Sequence, residues 1–233
     1  MQLIQNLFQP SCPLPVKRER RKEARPGELL QAALALFVEK GFAATKVEDV
    51  ARLAGVSKGT LFLYFSSKEE LFKAVVRDKI VGQLSQFHSA IDAFQGPTDQ
   101  LMRTFLHAWW QQADATQSSG IAKLMLSEGQ HFPELAAFYR EEVIDPAGEL
   151  IARVHARGVK LGEFRPIDPT YGPLTLLSSI LFLALWRHAP AVSPSQISPL
   201  QPLAYLDALV DTYLSGVLMR EPKHPALDKK QSL

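Results

Sequence analysis

Residues 41–71 read GFAATKVEDVARLAGVSKGTLFLYFSSKEEL, and the order of caps and apolar residues within them decides the fold. Thr45 stands three residues before Glu48, the spacing of a capping box, in which each side chain accepts from the other's backbone N–H. Val47, Val50, Ala51 and Ala54 follow, which predicts a short helix ended by Gly55. Ser57 then caps a third short helix running to Phe65. Two short helices joined by a tight glycine-containing turn make a helix-turn-helix. Upstream, Leu30, Ala33, Leu34, Phe37 and Val38 recur at helical spacing after Pro26-Gly27, with Gly41 where a helix C-terminus favours a left-handed residue. Downstream, Ser67 and Glu70 repeat the capping box. They open a long fourth helix through Leu71, Phe72, Val75, Val76, Ile80, Leu84, Phe87 and Ile91 that stops before Gly96-Pro97. Leu61 and Phe65 are expected to pack a small core with Phe37, Val50 and Leu71.

Beyond Pro97 the helical period predicts helices at 98–115, 120–130, 134–159, 169–189 and 200–219. Pro146 lacks a donor and clashes one turn back, so a kink or break is expected near residues 142–145. No segment carries a sustained period of two, and the fold class is therefore all-α: a three-helix helix-turn-helix domain, joined by a long helix to a second helical domain. The chain divides into a basic arm at 1–25, expected to be disordered, a DNA-binding unit at 26–77, a second domain at 78–220, and a tail at 221–233, also expected to be disordered. The boundary falls inside the fourth helix, near residues 77–82, and couples the two parts mechanically.

The 233 residues are 46% hydrophobic and 21% charged, which excludes a wholly disordered, fibrous or collagenous chain. A net charge of +2 hides an asymmetry: residues 16–80 carry 14 Lys+Arg against 9 Asp+Glu, and the rest is net acidic. The run Lys17-Arg18-Glu19-Arg20-Arg21-Lys22-Glu23-Ala24-Arg25 is the densest part, a basic arm suited to a polyanion. One cysteine, Cys12, permits no internal disulfide and suggests a reducing compartment. No secretory signal is visible, and the apolar run 174–186 is too short to span a bilayer, so the expectation is a cytoplasmic protein without a membrane partner.

The run 41–71 strongly resembles the DNA-binding domain of the TetR family of transcriptional regulators, over about residues 28–77. The third-helix run, the Tyr64-Phe65 pair and the following Ser67-Lys68-Glu69-Glu70-Leu71 stand together at the family's spacing. The resemblance implies that the third helix enters the major groove, with base-edge or groove-wall contact from Lys58, Gly59, Thr60 and Phe62. It implies backbone contact from Thr45, Tyr64 and Lys68, with Lys46 and Ser57 in the same interface. Independently, a helix opening Ser57-Lys58-Gly59-Thr60 is small and polar where free N–H groups favour phosphate. Many members have Tyr where this chain has Phe62, which leaves an apolar surface suited to a thymine methyl.

The C-terminal part carries no such match, but it is dense in aromatics, as an apolar pocket between helices would be. Candidate ligand-binding residues are Phe105, His107, Trp109, Met125, Phe132, Tyr139, Phe182 and Trp186. Trp109 and Trp110 are adjacent and point to different faces, so one of them at most lines a given pocket. The resemblance implies dimerisation through the last two helices, and the apolar residues that fit are Leu174, Leu177, Leu181, Leu185, Leu206, Leu209, Val210, Tyr213 and Val217. A homodimer implies a palindromic operator with half-sites about one turn apart, ~34–36 Å. The expected effector is a small apolar or aromatic molecule that releases the repressor.

An enzyme is not expected. The six histidines show no metalloprotease spacing, no glycine loop cradles phosphate, and no metal or cofactor is called for. The rival readings are a helical scaffold whose basic arm binds a protein partner, and a regulator that activates instead of repressing.

Overall fold

The computed structural model describes residues 19–195 and 199–217. The arm up to residue 18 and the tail at 221–233 lie outside the described residues. Among the described residues eleven α-helices follow one another: α1 Glu19–Lys40, α2 Val47–Leu53, α3 Lys58–Phe62, α4 Lys68–Val76, α5 Gly82–Ala93, α6 Thr98–Ala115, α7 Ser119–Glu128, α8 Pro133–Tyr139, α9 Asp145–Lys160, α10 Tyr171–His188 and α11 Pro202–Val217. Among the described residues there is no strand, as the helical period requires.

One expectation is corrected at the N-terminus. Helix α1 begins at Glu19, before Pro26, so residues 19–25 are helical and not a disordered arm. Those residues are strong helix formers, and Pro26 removes one donor without ending the helix.

The long fourth helix is continuous but not uniform. Between α4 and α5 the chain makes a π turn over Arg77–Val81, in which the Gly82 N–H donates to the carbonyl of Arg77, five residues back. A second π turn, Arg140–Ile144, joins α8 to α9, with the Asp145 N–H reaching Arg140 O. It falls where Pro146 led us to expect a kink. The wider register accommodates a proline that has no N–H for the ordinary ladder, and the chain bends without breaking.

Two cores result. The first gathers Leu29, Leu34, Phe37, Phe42, Val50, Leu61, Leu71 and Phe72 from α1 to α4, and it also takes Ile121, Leu124, Leu135 and Phe138 from α7 and α8. The second joins α5, α6, α9, α10 and α11 around Leu106, Trp110, Leu150, Leu183 and Val210. The helix-turn-helix unit is therefore not closed on itself, since α7 and α8 complete its core. Helix α7 lies tight against α1: a Cβ on Gly120 would stand 2.5 Å from Val38 Cγ1.

The last helix is tied on by polar bridges as well. His107 Nε2 lies 2.8 Å from Asp207, and Arg103 pairs with Asp211. The buried stripe Leu206, Val210, Leu214, Val217 faces inward, chiefly onto α6.

Gly158 marks a close approach in the second core, because a Cβ there would come within 2.3 Å of the buried Phe164 ring. Gly158→Ala should lower stability by about 1–3 kcal/mol and reduce the thermal midpoint by several degrees. Gly148→Ala, whose added carbon would meet only Leu177 at 3.9 Å, should leave the midpoint unchanged or raise it slightly.

Candidate nucleic-acid interface and effector cavity

Helix α3 is only five residues long, and a single side chain anchors it. Leu61 is fully buried, whereas Phe62 is 41% and Leu63 83% exposed. Ser57 caps the helix: its hydroxyl accepts from the Thr60 N–H at 3.0 Å and lies 2.9 Å from Thr60 Oγ1. Lys58 and Gly59 are exposed at its start. Nothing but Ser57 Oγ, at 3.8 Å, comes within 4 Å of a Cβ built on Gly59. Lys58 Nζ lies 2.5 Å from Glu48 and 5.7 Å from the Phe62 ring centroid. Glu48 is held below the usual carboxylate range, first by the Lys58 hydrogen bond. Tyr64 is half-exposed, and its hydroxyl has no hydrogen bond within the described residues. Lys46 is exposed at the N-cap of α2. Lys46, Ser57, Lys58, Gly59, Phe62 and Tyr64 are thus each exposed, with Thr60 behind the cap.

Two of the residues assigned to this face are used elsewhere. Thr45 is 1% exposed, and its hydroxyl donates back toward Gly41 O at 2.6 Å and Leu36 O at 3.1 Å. It closes the end of α1 and makes no capping box with Glu48. A β-branched residue directly after the turn is forced inward, and its hydroxyl takes the free carbonyls that a helix end leaves. Lys68 is the second case. Its ammonium donates to Phe42 O at 2.7 Å, Thr45 O at 3.0 Å and Ala43 O at 3.3 Å, and sits 4.4 Å from the Phe42 ring centroid. Burial lowers its pKa. An ammonium has three N–H groups, and all three are engaged, which leaves none for a phosphate. Sequence reasoning overlooked Leu63, whose exposure beside Phe62 adds a second apolar group to the face; a lone apolar residue at the end of a helical run gives no signal of which way it points.

The effector candidates divide in the same way. A cavity of about 70 Å³ lies between the two cores, and Phe105, Trp109 and Tyr139 line it. Its walls come from Ile80 of the first π turn, Val143 and Ile144 of the second, and Ser118 and Ala122 beside α7, closed by Leu177 and Leu181 of α10. The other candidates are not on it. His107 pairs with Asp207. Met125 belongs to the first core. Phe132 packs edge-on against Phe42 at 4.7 Å. Phe182 is 52% exposed, and Trp186 stacks between Phe182 and Tyr205. Trp110 is buried in the second core while its neighbour Trp109 faces the cavity. Aromatic density does not separate wall from core; packing does.

The dimer candidates need a larger correction. Leu206, Val210 and Val217 are buried within the protomer. Leu177 and Leu181 line the cavity, and the Tyr213 hydroxyl meets His155 Nδ1 at 3.2 Å. Leu209 is half-buried against the second core. The apolar period was real, but the stripe covers the protein's own core. What remains outward on α10 is Tyr171, Leu174 and Phe182, 70%, 43% and 52% exposed, with half-buried Leu185 on the same arc of the helix.

The π turns adjoin each other. Arg77 Nη2 donates to Glu142 Oε1 at 2.7 Å, and its Nε reaches both carboxylate oxygens at 3.2 and 3.3 Å; the guanidinium lies 5.0 Å from the Phe138 ring centroid. Among the described residues no group of His, Cys, Asp or Glu gathers as a metal site, and no helix is long and apolar enough to cross a membrane.

The sequence profile of bacterial regulatory proteins of the tetR family matches residues 29–75, and that of the tetracyclin repressor-like C-terminal domain matches residues 94–200. The HTH-type transcriptional repressor KstR2 of Mycobacterium tuberculosis is 28% identical over 144 residues, covering 61% of this chain and 70% of that protein. The HTH-type transcriptional regulator RutR of Escherichia coli is 29% identical over 169 residues, covering 66% and 71%. Among solved structures, the regulator FadR from Bacillus subtilis in complex with stearoyl-CoA superposes with a TM-score of 0.60 at 17% identity, covering 82% of this chain and 98% of that one. PfmR from Thermus thermophilus gives 0.61 at 24%, covering 80% and 97%. At these identities the structural likeness speaks for the fold.

Lys68→Met should remove the tie between α4 and the turn before α2, lowering the stability of the helix-turn-helix unit by about 1–3 kcal/mol. At temperatures where the variant is folded, the salt dependence of its DNA binding should match that of the parent. A fall in that slope by about 0.9 would assign Lys68 to a phosphate instead.

Proposed function

The chain is a helix-turn-helix regulator of the TetR family of bacterial regulatory proteins, and on that premise we propose a cytoplasmic homodimeric repressor. It binds a palindromic operator through α3 and is released when a small apolar molecule fills the cavity between its two cores. The observation that carries the DNA-binding reading is the outward face of α3. Lys58, Gly59 and Phe62 stand free of the core on a helix held by Leu61 alone, in a shape that suits major-groove entry. In this reading Lys58, Thr60 and Phe62, with Leu63, contact base edges, and Lys46, Ser57 and Tyr64 contact the backbone. Thr45 and Lys68 hold the turn that orients them. The units are 26–77 for DNA and 78–220 for effector and dimer, coupled through the shared core. The basic residues at 17–25 add affinity that fades with salt.

For the partner copy we assign the outward arc of α10, Tyr171, Leu174, Phe182 and Leu185, together with the adjoining outer face of α11 around Leu203. Exposed apolar groups of this size on one helix face favour a self-complementary contact.

Release follows from the place of the cavity. Its wall includes Ile80 in the helix that leaves the DNA-binding unit, and Val143 and Ile144 in the turn facing it. A ligand that separates these walls moves α4, and with it the spacing of two recognition helices. Its effect is limited to its differential affinity for the two arrangements.

Selection of bound sequences from random double-stranded DNA at two salt concentrations tests the reading. A palindrome with half-sites about one turn apart is expected, and the absence of enrichment at either salt would favour a scaffold. Glu142→Ala should free the first π turn from the second, and hydrogen exchange of the amides at 77–82 should accelerate about tenfold or more while those of α1 stay unchanged.

A further inference from the structure

The cavity carries information about its ligand beyond being apolar. None of the residues lining it is Lys, Arg, His, Asp or Glu. The nearby cations are engaged elsewhere: Arg77 with Glu142, Arg187 with Asp114. Of the polar side chains on the wall, Ser118 accepts from the Thr116 hydroxyl at 3.0 Å, and Ser119 Oγ lies 2.8 Å from His188 Nε2. Burial lowers the His188 pKa, so that imidazole stays neutral and offers no charge.

Tyr139 is different. The residue is 7% exposed, lines the cavity, and makes no hydrogen bond with any described residue. No side-chain oxygen or nitrogen among the described residues is both sealed off and unpaired, so the Tyr139 hydroxyl keeps accessible surface and is free to donate to a molecule in the cavity. Burial also pushes the phenol pKa up, so the group remains an O–H donor at every physiological pH. A wall without cations strongly disfavours a carboxylate or phosphate, while an unpaired donor asks for an acceptor. The Trp109 indole N–H and the Gln83 amide also line the wall without a hydrogen bond to a described residue, the first a donor only and the second able to donate or accept.

We infer that the effector is an uncharged, largely apolar molecule carrying a hydrogen-bond-accepting oxygen, such as a ketone, ester or alcohol, and that this oxygen is taken by the Tyr139 hydroxyl. The inference rests on reading this cavity as the effector site. It assigns a ligand class that differs from the charged thioester named with the Bacillus subtilis FadR structure.

Calorimetric titration of the full chain with 2-decanone, 4-phenyl-2-butanone, decanoate and decanoyl-coenzyme A tests it. At least one ketone should bind, and at least about tenfold more tightly than decanoate or decanoyl-coenzyme A. Tyr139→Phe should weaken the ketone about fivefold, the effect of one neutral hydrogen bond. The same variant should fold as stably as the parent, because that hydroxyl makes no hydrogen bond with a described residue. Binding of neither ketone, equal binding of the acid or the thioester, or an unchanged ketone affinity in Tyr139→Phe would each overturn the inference. Operator affinity is measured separately. Ketone binding that depends on Tyr139 and leaves operator affinity unchanged would support the ligand class and overturn the effector role of the cavity.

Discussion

The turn between α1 and α2 is where the structure is tied together. Gly41 takes φ +85°, and its missing Cβ leaves room for a carboxylate: a carbon there would lie 2.1 Å from Glu128 Oε1. Glu128, at the end of α7, accepts from the Ala43 N–H at 2.9 Å. From the other side, Lys68 brings its ammonium to three carbonyls of the same turn. Between them Phe42 is fully buried and touches Phe37, Phe72 and Phe132 with ring centroids 4.7 to 5.6 Å apart. Five residues thus bind α1, α2, α4 and the second domain's α7–α8 segment. Replacing Gly41 would strain the backbone and evict the carboxylate together, since most residues resist positive φ. Helix α2, with seven residues, and α3, with five, are far below the length at which a helix stands alone in water, so their placement comes from this anchorage.

In the proposed reading, the same anchorage links the cavity to the DNA-binding unit. Its walls include Ser119 and Ala122 of α7, Tyr139 at the end of α8, and Ile80 of the first π turn. Two routes therefore lead from cavity to α3. One passes along α4, whose N-terminal Lys68 holds the turn. The other passes along α7 to Glu128, which holds that turn from the opposite side. Because both converge on residues 41–45, a displacement of either wall bears on one rigid element. The π turns supply the slack, since a register with i to i+5 bonding is less tightly wound than its α neighbours. They adjoin each other across the Arg77–Glu142 pair.

The legible part of the sequence was whatever depends on short-range order. Caps at Ser57 and Ser67, the left-handed Gly41 and Gly55, and the helical period of each segment are local, and the observed helices fall within a few residues of their expected ends. Helix α1 departs from this because a charged run before a proline reads as an arm, although nothing local forbids it from coiling. Thr45 shows the limit of cap spacing. Its hydroxyl chose carbonyls behind it over an amide ahead, and Glu48 turned to Lys58. The effector and dimer residues were less legible, since an apolar stripe reports that something is covered and not by what. Leu206, Val210 and Val217 lie on α11 with the period expected of an interface, but the surface they meet is chiefly α6. Phe132 and Trp109 are equally aromatic, and only the chain's return over α1 makes one a core residue and the other a wall.

The resting state of α3 bears on how operator recognition works. Its one cationic side chain, Lys58, is paired with Glu48 and leans toward Phe62, and both partners of the pair are about half exposed. An exposed pair of this kind is worth little, of order 0–1 kcal/mol, so DNA can displace Glu48 at small cost. The carboxylate that remains would stand beside the DNA, unpaired and repelled by phosphate, unless Lys58 stays between them. The face offered to the groove is otherwise apolar, with Phe62 and Leu63 beside Gly59. Discrimination by such a face falls on thymine methyls and groove shape more than on hydrogen bonds. In the proposed reading polar recognition is left to Lys58 and the Thr60 hydroxyl, which lies 2.9 Å from the Ser57 cap.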